Sequence, residues 1–256
     1  MINWEQLFGL PPLASQQGQA IDNVLIYTHW LIAALLIGWS GYFVYVLYRF
    51  RASRHPKADY LGVRTHASNY LEGVVAVIEG VILLGFSIPF WAKAADQFPK
   101  EDASVVIKVA AQQFAWNVLY PGPDGDFGRQ DPRFLSAQNA FGLDPEDPKT
   151  RKDIVTLNEI HVQVDKPVIV HLTSRDVVHS FKVLAMRVNQ DAIPGMSIPL
   201  HFTPTRVGVY QINCAQLCGN GHSGMAAGRL HVDTPEEFAK WLKSKSGAAA
   251  APASYE

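Results

Sequence analysis

The sequence predicts a two-helix transmembrane hairpin followed by an all-β sandwich or barrel domain. Two long apolar runs occupy much of the first 92 residues, and from Val105 onward the text changes to short β-rich runs bounded by Pro, Gly and Asp. Soft donor side chains then gather in Cys214-Ala-Gln-Leu-Cys218-Gly-Asn-Gly-His222-Ser-Gly-Met225. With 256 residues and a formal net charge of −1, the chain has material for a membrane anchor and one domain. It carries no basic excess of the kind that marks a nucleic-acid partner.

Residues 1–23 contain no Lys or Arg and read as an outer N-terminal segment. Residues 24–48 lack Asp, Glu, Lys and Arg and are long enough to span a bilayer as the first transmembrane helix. His29 reads as an interfacial or helix-contact residue. Residues 49–70 carry Arg49, Arg51, Arg54, Lys57 and Arg64, so the positive-inside rule makes this loop cytoplasmic and puts both termini and the β domain outside. The first span is too long, and lacks the basic n-region, for an ordinary secretory signal. Residues 71–92 form the second span, ending in the interface-like Pro89-Phe90-Trp91. A charge at mid-membrane costs about 2.5–3.5 kcal/mol on insertion scales. Glu79 is therefore expected to face protein or to be protonated, with a helix contact to a partner subunit favoured over proton handling.

Residues 93–245 make up the β domain. Val105–Ala110, Ile160–Val164, Val168–Leu172 and Val207–Ile212 read as strands, and His161, His171 and His231 as packed or solvent-facing strand histidines. Residues 121–152, rich in Pro, Gly, Asp and Gln, read as a long surface loop that covers the domain or meets a partner. Thr234-Pro-Glu-Glu237 is a capping box opening a short closing helix that presents Phe238, Trp241 and Leu242. Residues 246–256 read as a flexible tail.

Cys214 and Cys218 are the only cysteines, and with His222 and Met225 they place two thiols, an imidazole and a thioether within twelve residues. Such donors select copper over calcium or magnesium. A small disulfide and a zinc site are the competing readings; the first leaves His222 and Met225 unexplained, and the second makes little use of Met. Met225 taken alone also fits core packing.

The spacing Cys-x3-Cys-x3-His-x2-Met resembles the dinuclear copper (CuA) motif of cytochrome c oxidase subunit II. Thr173-Ser-Arg-Asp176-Val-Val-His179-Ser180-Phe181 resembles that family's earlier histidine loop. The resemblance implies a cupredoxin-like fold and a copper pair held by His179, Cys214, Cys218, His222, Met225 and the backbone carbonyl of Gln216. It further implies partnership with a haem-bearing subunit I and other oxidase subunits in the lipid of an energy-transducing membrane, expected to be a bacterial plasma membrane. Electrons would come from a cytochrome c type donor and reduce O2 to water through haems on subunit I. Asn69-Tyr-Leu71-Glu72 resembles the start of the family's second helix, which places Glu72 near the mouth of a proton pathway.

Three departures from the family pattern matter. Met196 follows Asp191-Ala-Ile-Pro-Gly195, where the family commonly has Arg against a haem propionate. Gln216 stands where a Glu commonly joins a shared magnesium site; a neutral amide is a poorer magnesium ligand, which puts that metal in doubt. In Gln113-Phe114-Ala-Trp116, Phe114 replaces the Trp that meets the donor. Electrons would then arrive through Phe114 or Trp116 or another patch, unless both rings only pack the barrel, and a membrane-bound cytochrome becomes a candidate donor. No Cys-x-x-Cys-His is present, so no haem c is attached covalently. The copper subunit of a related haem–copper nitric oxide reductase and a non-catalytic copper-binding module are the alternative functions.

Overall fold

The computed structural model describes residues 9, 11–58, 60–62 and 64–246. The parts of the N-terminal segment and of the tail that fall at residues 1–8, 10 and 247–256 lie outside the described residues. The chain divides into two compact units, Ala20–Lys93 and the remainder.

Helix α1 spans Gly18–Arg49, six residues longer at its N-terminal end than the apolar run alone indicates. Gly18 is closely packed: a Cβ there would meet Leu13 Cδ1 at 2.4 Å and both Arg187 Cγ and Ser15 Oγ at 2.8 Å, so these side chains would have to shift. Inside the helix, polar side chains are satisfied locally. Thr28 Oγ1 donates to the Val24 carbonyl at 2.9 Å, and His29 Nδ1 lies 2.8 Å from the Leu25 carbonyl. The second rod comprises α2 (Ala67–Ile82), a π-helical stretch (Leu83–Ser87) and α3 (Ile88–Ala95). Pro89 has no N–H to return to the preceding turn, and the ladder is rearranged just ahead of it. Ser87 Oγ donates there to the Ile82 carbonyl at 3.3 Å. Both rods are long and apolar enough to cross a membrane, with mean hydropathy of 1.8 and 2.1 and neither apolar window buried.

The second unit is an all-β domain of eleven strands among the described residues. Strands β1 (Val105–Gln112), β2 (Ala115–Tyr120), β3 (Ile154–Leu157), β5 (Val168–Ser174) and β8 (Ile198–Phe202) form a sheet in the order β3-β2-β1-β5-β8. Strands β6 (His179–Val183), β7 (Val188–Ala192) and β10 (Asn213–Cys214) form a second, ordered β10-β6-β7. Strands β4 (Glu159–Gln163), β9 (Gly208–Gln211) and β11 (Arg229–Asp233) form a third, ordered β4-β11-β9. The pairs β1–β5 and β4–β11 are parallel, the others antiparallel. Period-2 alternation sends Val105, Ile107, Val109 and Ala111 of β1 inward, against Trp116, Phe181, Leu172, Leu230 and Met225.

Several strands escaped the sequence reading, among them β2, β3 and β6. The histidine segment, expected as a loop, is instead the start of β6, with His179 paired to Ala192. Its hydrophobic signal is weak because it is five residues long and reads His-Ser-Phe-Lys-Val.

The segment 121–152 is irregular apart from two 3-10 turns, yet it is packed. Its Ala140, Phe141 and Leu143 are buried against Ala110 and Leu119 on the outer face of β1 and β2, with Phe127 beside them. Asp144, buried at the foot of this cover, pairs with Arg129. The loop covers the domain.

Helix α4 (Pro235–Ser246) closes the fold through the capping box read from the sequence. The Thr234 N–H donates to Glu237 Oε2 at 3.1 Å, and the Glu237 N–H donates to Thr234 Oγ1 at 3.3 Å. Phe238 is buried, and Trp241 and Leu242 pack against the core.

At the other end of the sequence, the stretch before α1 is stitched to the β domain. Ala14 N–H donates to the Ala185 carbonyl at 2.8 Å, Gln16 N–H to Thr203 at 2.9 Å, and Thr205 N–H to Ala14 at 2.8 Å. Ser15 Oγ donates to the Met186 carbonyl at 2.7 Å.

Candidate metal centre

Three structural pieces bring the donors together. Strand β6 opens on His179, β10 ends on Cys214, and a glycine-containing loop carries Cys218 to a 3-10 turn, His222–Ala227, that holds His222 and Met225. Pairing of Cys214 with Phe181 across β10 and β6 sets the first sulfur beside the strand that carries His179. Gly219, at φ +135, turns the loop through backbone space that side chains disfavour.

Cys214 Sγ lies 3.9 Å from Cys218 Sγ, 3.9 Å from His179 Nδ1 and 3.1 Å from the Gln216 carbonyl oxygen. Cys218 Sγ lies 3.4 Å from His222 Nδ1. A disulfide has an S–S bond of about 2.0 Å; both cysteines are free, which disposes of that reading. The donors of His179, Cys214 and Cys218 all fall within 4.8 Å of one another. Met225 is fully enclosed, whereas His222 sits half-buried at the edge of the domain. Two sulfurs, one imidazole and a carbonyl gathered together, with a second imidazole against Cys218 and a thioether on the same turn, fit a copper ion better than a hard cation.

Burial pushes the Cys218 thiol up to about 11, and the neighbouring Cys214 adds to the shift. A metal must therefore displace a proton that the fold itself holds. His179 is oriented from behind by Asp176, whose Oδ1 lies 2.9 Å from His179 Nε2. Burial raises the Asp176 carboxyl, but the Gln113 N–H, His179 and the Val177 N–H together outweigh it and hold the group below the usual carboxylate range. With Nε2 engaged, Nδ1 is left for the sulfur side.

Two neighbours of the loop were named in the sequence without these roles. Gln113 Nε2 donates to the Cys218 carbonyl at 2.7 Å, and Trp116 Nε1 donates to the Met225 carbonyl at 3.0 Å. Trp116 is wholly buried, with its ring edge-on to His179 at 6.3 Å and to Phe181 at 5.4 Å. Phe114 is half-buried and lies on the glycine loop, so close that a Cβ on Gly221 would meet its Cδ2 at 2.3 Å.

Comparison with known proteins bears on the whole chain. The family model described as cytochrome C oxidase subunit II, periplasmic domain, matches residues 105–228. The alternative cytochrome c oxidase subunit 2 of Bradyrhizobium diazoefficiens is 30% identical over 239 residues, covering 91% of this chain and 83% of that protein. The chain belongs to the cytochrome c oxidase subunit II family. The cytochrome c oxidase subunit 2 of Cereibacter sphaeroides is 29% identical over 242 residues, covering 86% of this chain and 76% of that protein. A crystal structure of the periplasmic domain of subunit II of Bradyrhizobium japonicum cytochrome oxidase, 30% identical, covers 58% of this chain and 96% of that one with a TM-score of 0.43.

Members of the subunit II family are parts of haem–copper oxidase complexes, which are oxidoreductases. Several of the other residues singled out from the sequence are exposed. Glu72 and Glu79 are exposed on α2. Met196 is 52% exposed and Leu217, between the cysteines, is 82% exposed. Gln216 is exposed as a side chain while its carbonyl turns inward to Cys214. His171 is half-buried on β5, whereas His161 and His231 stack on each other at 4.3 Å.

Proposed function

We propose that this chain is the electron-accepting subunit of a terminal haem–copper oxidase. It would take electrons from a cytochrome c type donor into a dinuclear copper centre and deliver them to haem in subunit I for reduction of O2 to water. The single observation that carries this reading is the convergence of His179 Nδ1, the Gln216 carbonyl and both sulfurs on one point, with His222 against Cys218. His179, Cys214, Gln216, Cys218, His222 and Met225 would hold the copper pair. When bound, that pair supplies reversible one-electron storage.

The protein's part is to keep the donors from moving. His179 is fixed by Asp176, the Cys218 carbonyl by Gln113 and the Met225 carbonyl by Trp116, so the cage needs little rearrangement as charge changes. Burial of Cys214, Cys218, His179 and Met225 excludes water from the sulfurs. Trp116 has no exposed surface, which favours an interior role for its ring. Phe114, on the outer side of the glycine loop, is the ring of the pair that a donor can reach. Glu72, exposed on α2, remains available as the mouth of a proton path in a partner subunit.

The placement outside the membrane is supported by chain connectivity. Ala14 and Gln16 precede the first apolar rod and bond to the domain that follows the second. Two crossings return a chain to the side it started from. That side is the outer one by the basic loop between the rods.

Absorption and EPR spectra of the copper-loaded full chain, with copper counted per chain, test the reading. A mixed-valence pair of coppers sharing one unpaired electron is expected. A single copper, or none, in a folded chain rules out the electron-inlet role, and the haem subunit that co-purifies separates oxidase from nitric oxide reductase.

A further inference from the structure

A second group of metal-binding side chains lies on the sheet formed by β4, β11 and β9. The donor atoms of Glu159, His161 and His231 all fall within 4.8 Å of one another. We propose that these three residues form a separate, mononuclear site for a divalent ion of the zinc class.

Strand pairing creates the juxtaposition. His161 on β4 sits directly opposite His231 on β11, and Glu159, two residues before His161, shares its face of the sheet. The two imidazoles are parallel, 4.3 Å apart with 4° between their planes. His161 is the fixed member. Its Nδ1 lies 2.6 Å from Asp233 Oδ2, its free face stacks on Trp241 at 4.3 Å, and its backbone N–H donates to the Tyr120 hydroxyl at 2.6 Å. That leaves Nε2 pointing to Glu159 Oε1 at 3.0 Å. A carboxylate behind one imidazole nitrogen, with the other nitrogen presented forward, is the arrangement by which outer partners orient histidine ligands toward a metal.

Glu159 and His231 are half-exposed, so an ion can reach them and they can turn. Tetrahedral bonds of about 2.0–2.1 Å bring donors closer than they now stand, and the two half-exposed side chains have the freedom to close. Two imidazoles and a carboxylate without sulfur suit zinc, and three protein ligands leave a fourth position for water. Lys245 Nζ, 3.5 Å from Glu159 Oε2, is the present counter-charge and would be displaced. The site shares no ligand with the cysteine loop, so it stands or falls independently of the copper reading.

The test uses the full chain in detergent carrying Cys214→Ser and Cys218→Ser, so that no sulfur competes for metal. Equilibration with micromolar zinc should load one zinc per chain and raise the thermal midpoint. His231→Ala and Glu159→Gln, introduced separately, should each weaken zinc binding at least tenfold and abolish the thermal shift. The same titration on the copper-loaded natural chain, where zinc is counted beyond copper, guards against misfolding of the serine variant. No zinc at micromolar concentration, or equal zinc affinity in the parent and both variants, overturns the proposal.

Discussion

The indole N–H of Trp116 donates to the Met225 carbonyl at 3.0 Å, tying a fully enclosed ring on β2 to the last residue of the candidate ligand set. The core and the cysteine loop are therefore one packed body, and disturbing either should register in the other.

Trp116→Phe removes the indole donor and leaves the Met225 carbonyl with only the Gly228 N–H, at 3.4 Å, at a cost of about 0.5–1.5 kcal/mol. Denaturant unfolding of the metal-free chain should show that loss, and the copper absorption bands should shift in the loaded chain. An unchanged midpoint and spectrum would mean that the bond does not position the loop.

Asp176→Asn keeps the shape but replaces a carboxylate that accepts from both His179 and the Gln113 N–H. Copper affinity should fall by about 10–100-fold, as for other outer partners of histidine ligands. Competition with a copper chelator measures it, and wild-type affinity in the Asn variant would remove Asp176 from the site.

The Cys218 thiol is pushed up to about 11 from an ordinary value of 9.0. Its folded value exceeds its unfolded one, so folding favours the protonated thiol. That contribution is complete below pH 9 and is lost as pH rises toward 11. The metal-free chain should accordingly lose thermal stability across this alkaline window, and Cys218→Ser should flatten the slope. Identical slopes in the two chains would show that other groups govern it.

Gly221→Ala would set a Cβ 2.3 Å from Phe114 Cδ2. Overpacking of this kind costs about 1–3 kcal/mol. Phe114→Leu in the same chain should recover part of the loss, giving a non-zero coupling in a double-mutant cycle. Additive effects would show that the loop avoids the ring by another route.

The architecture was legible wherever a signal was local. The two apolar rods, the basic loop and the capping box at Thr234 each declare themselves within a few residues. The same holds for Cys214, Cys218, His222 and Met225, whose spacing is compressed into one loop. His179 was legible only through resemblance, because its approach to Cys214 depends on β6 pairing with β10, a contact between segments 35 residues apart. Strands such as β6 and β7 were missed because polar residues interrupt their apolar pattern. His161 and His231 make a related point: each reads as an ordinary strand histidine until parallel pairing sets them side by side. The packed character of 121–152 was hidden too, since Phe127, Ala140, Phe141 and Leu143 follow no regular period.

The seam at Ala14–Gln16 carries a practical lesson. A fragment cut free after α3 to obtain the β domain in water would leave these residues behind. The backbone groups of Ala185, Met186, Thr203 and Thr205 would lose their partners, and the enclosed slot of Ala14 would be wetted. Such a truncated domain should be restored by supplying the missing strap as a peptide, or by grafting it through a short linker to the new N-terminus.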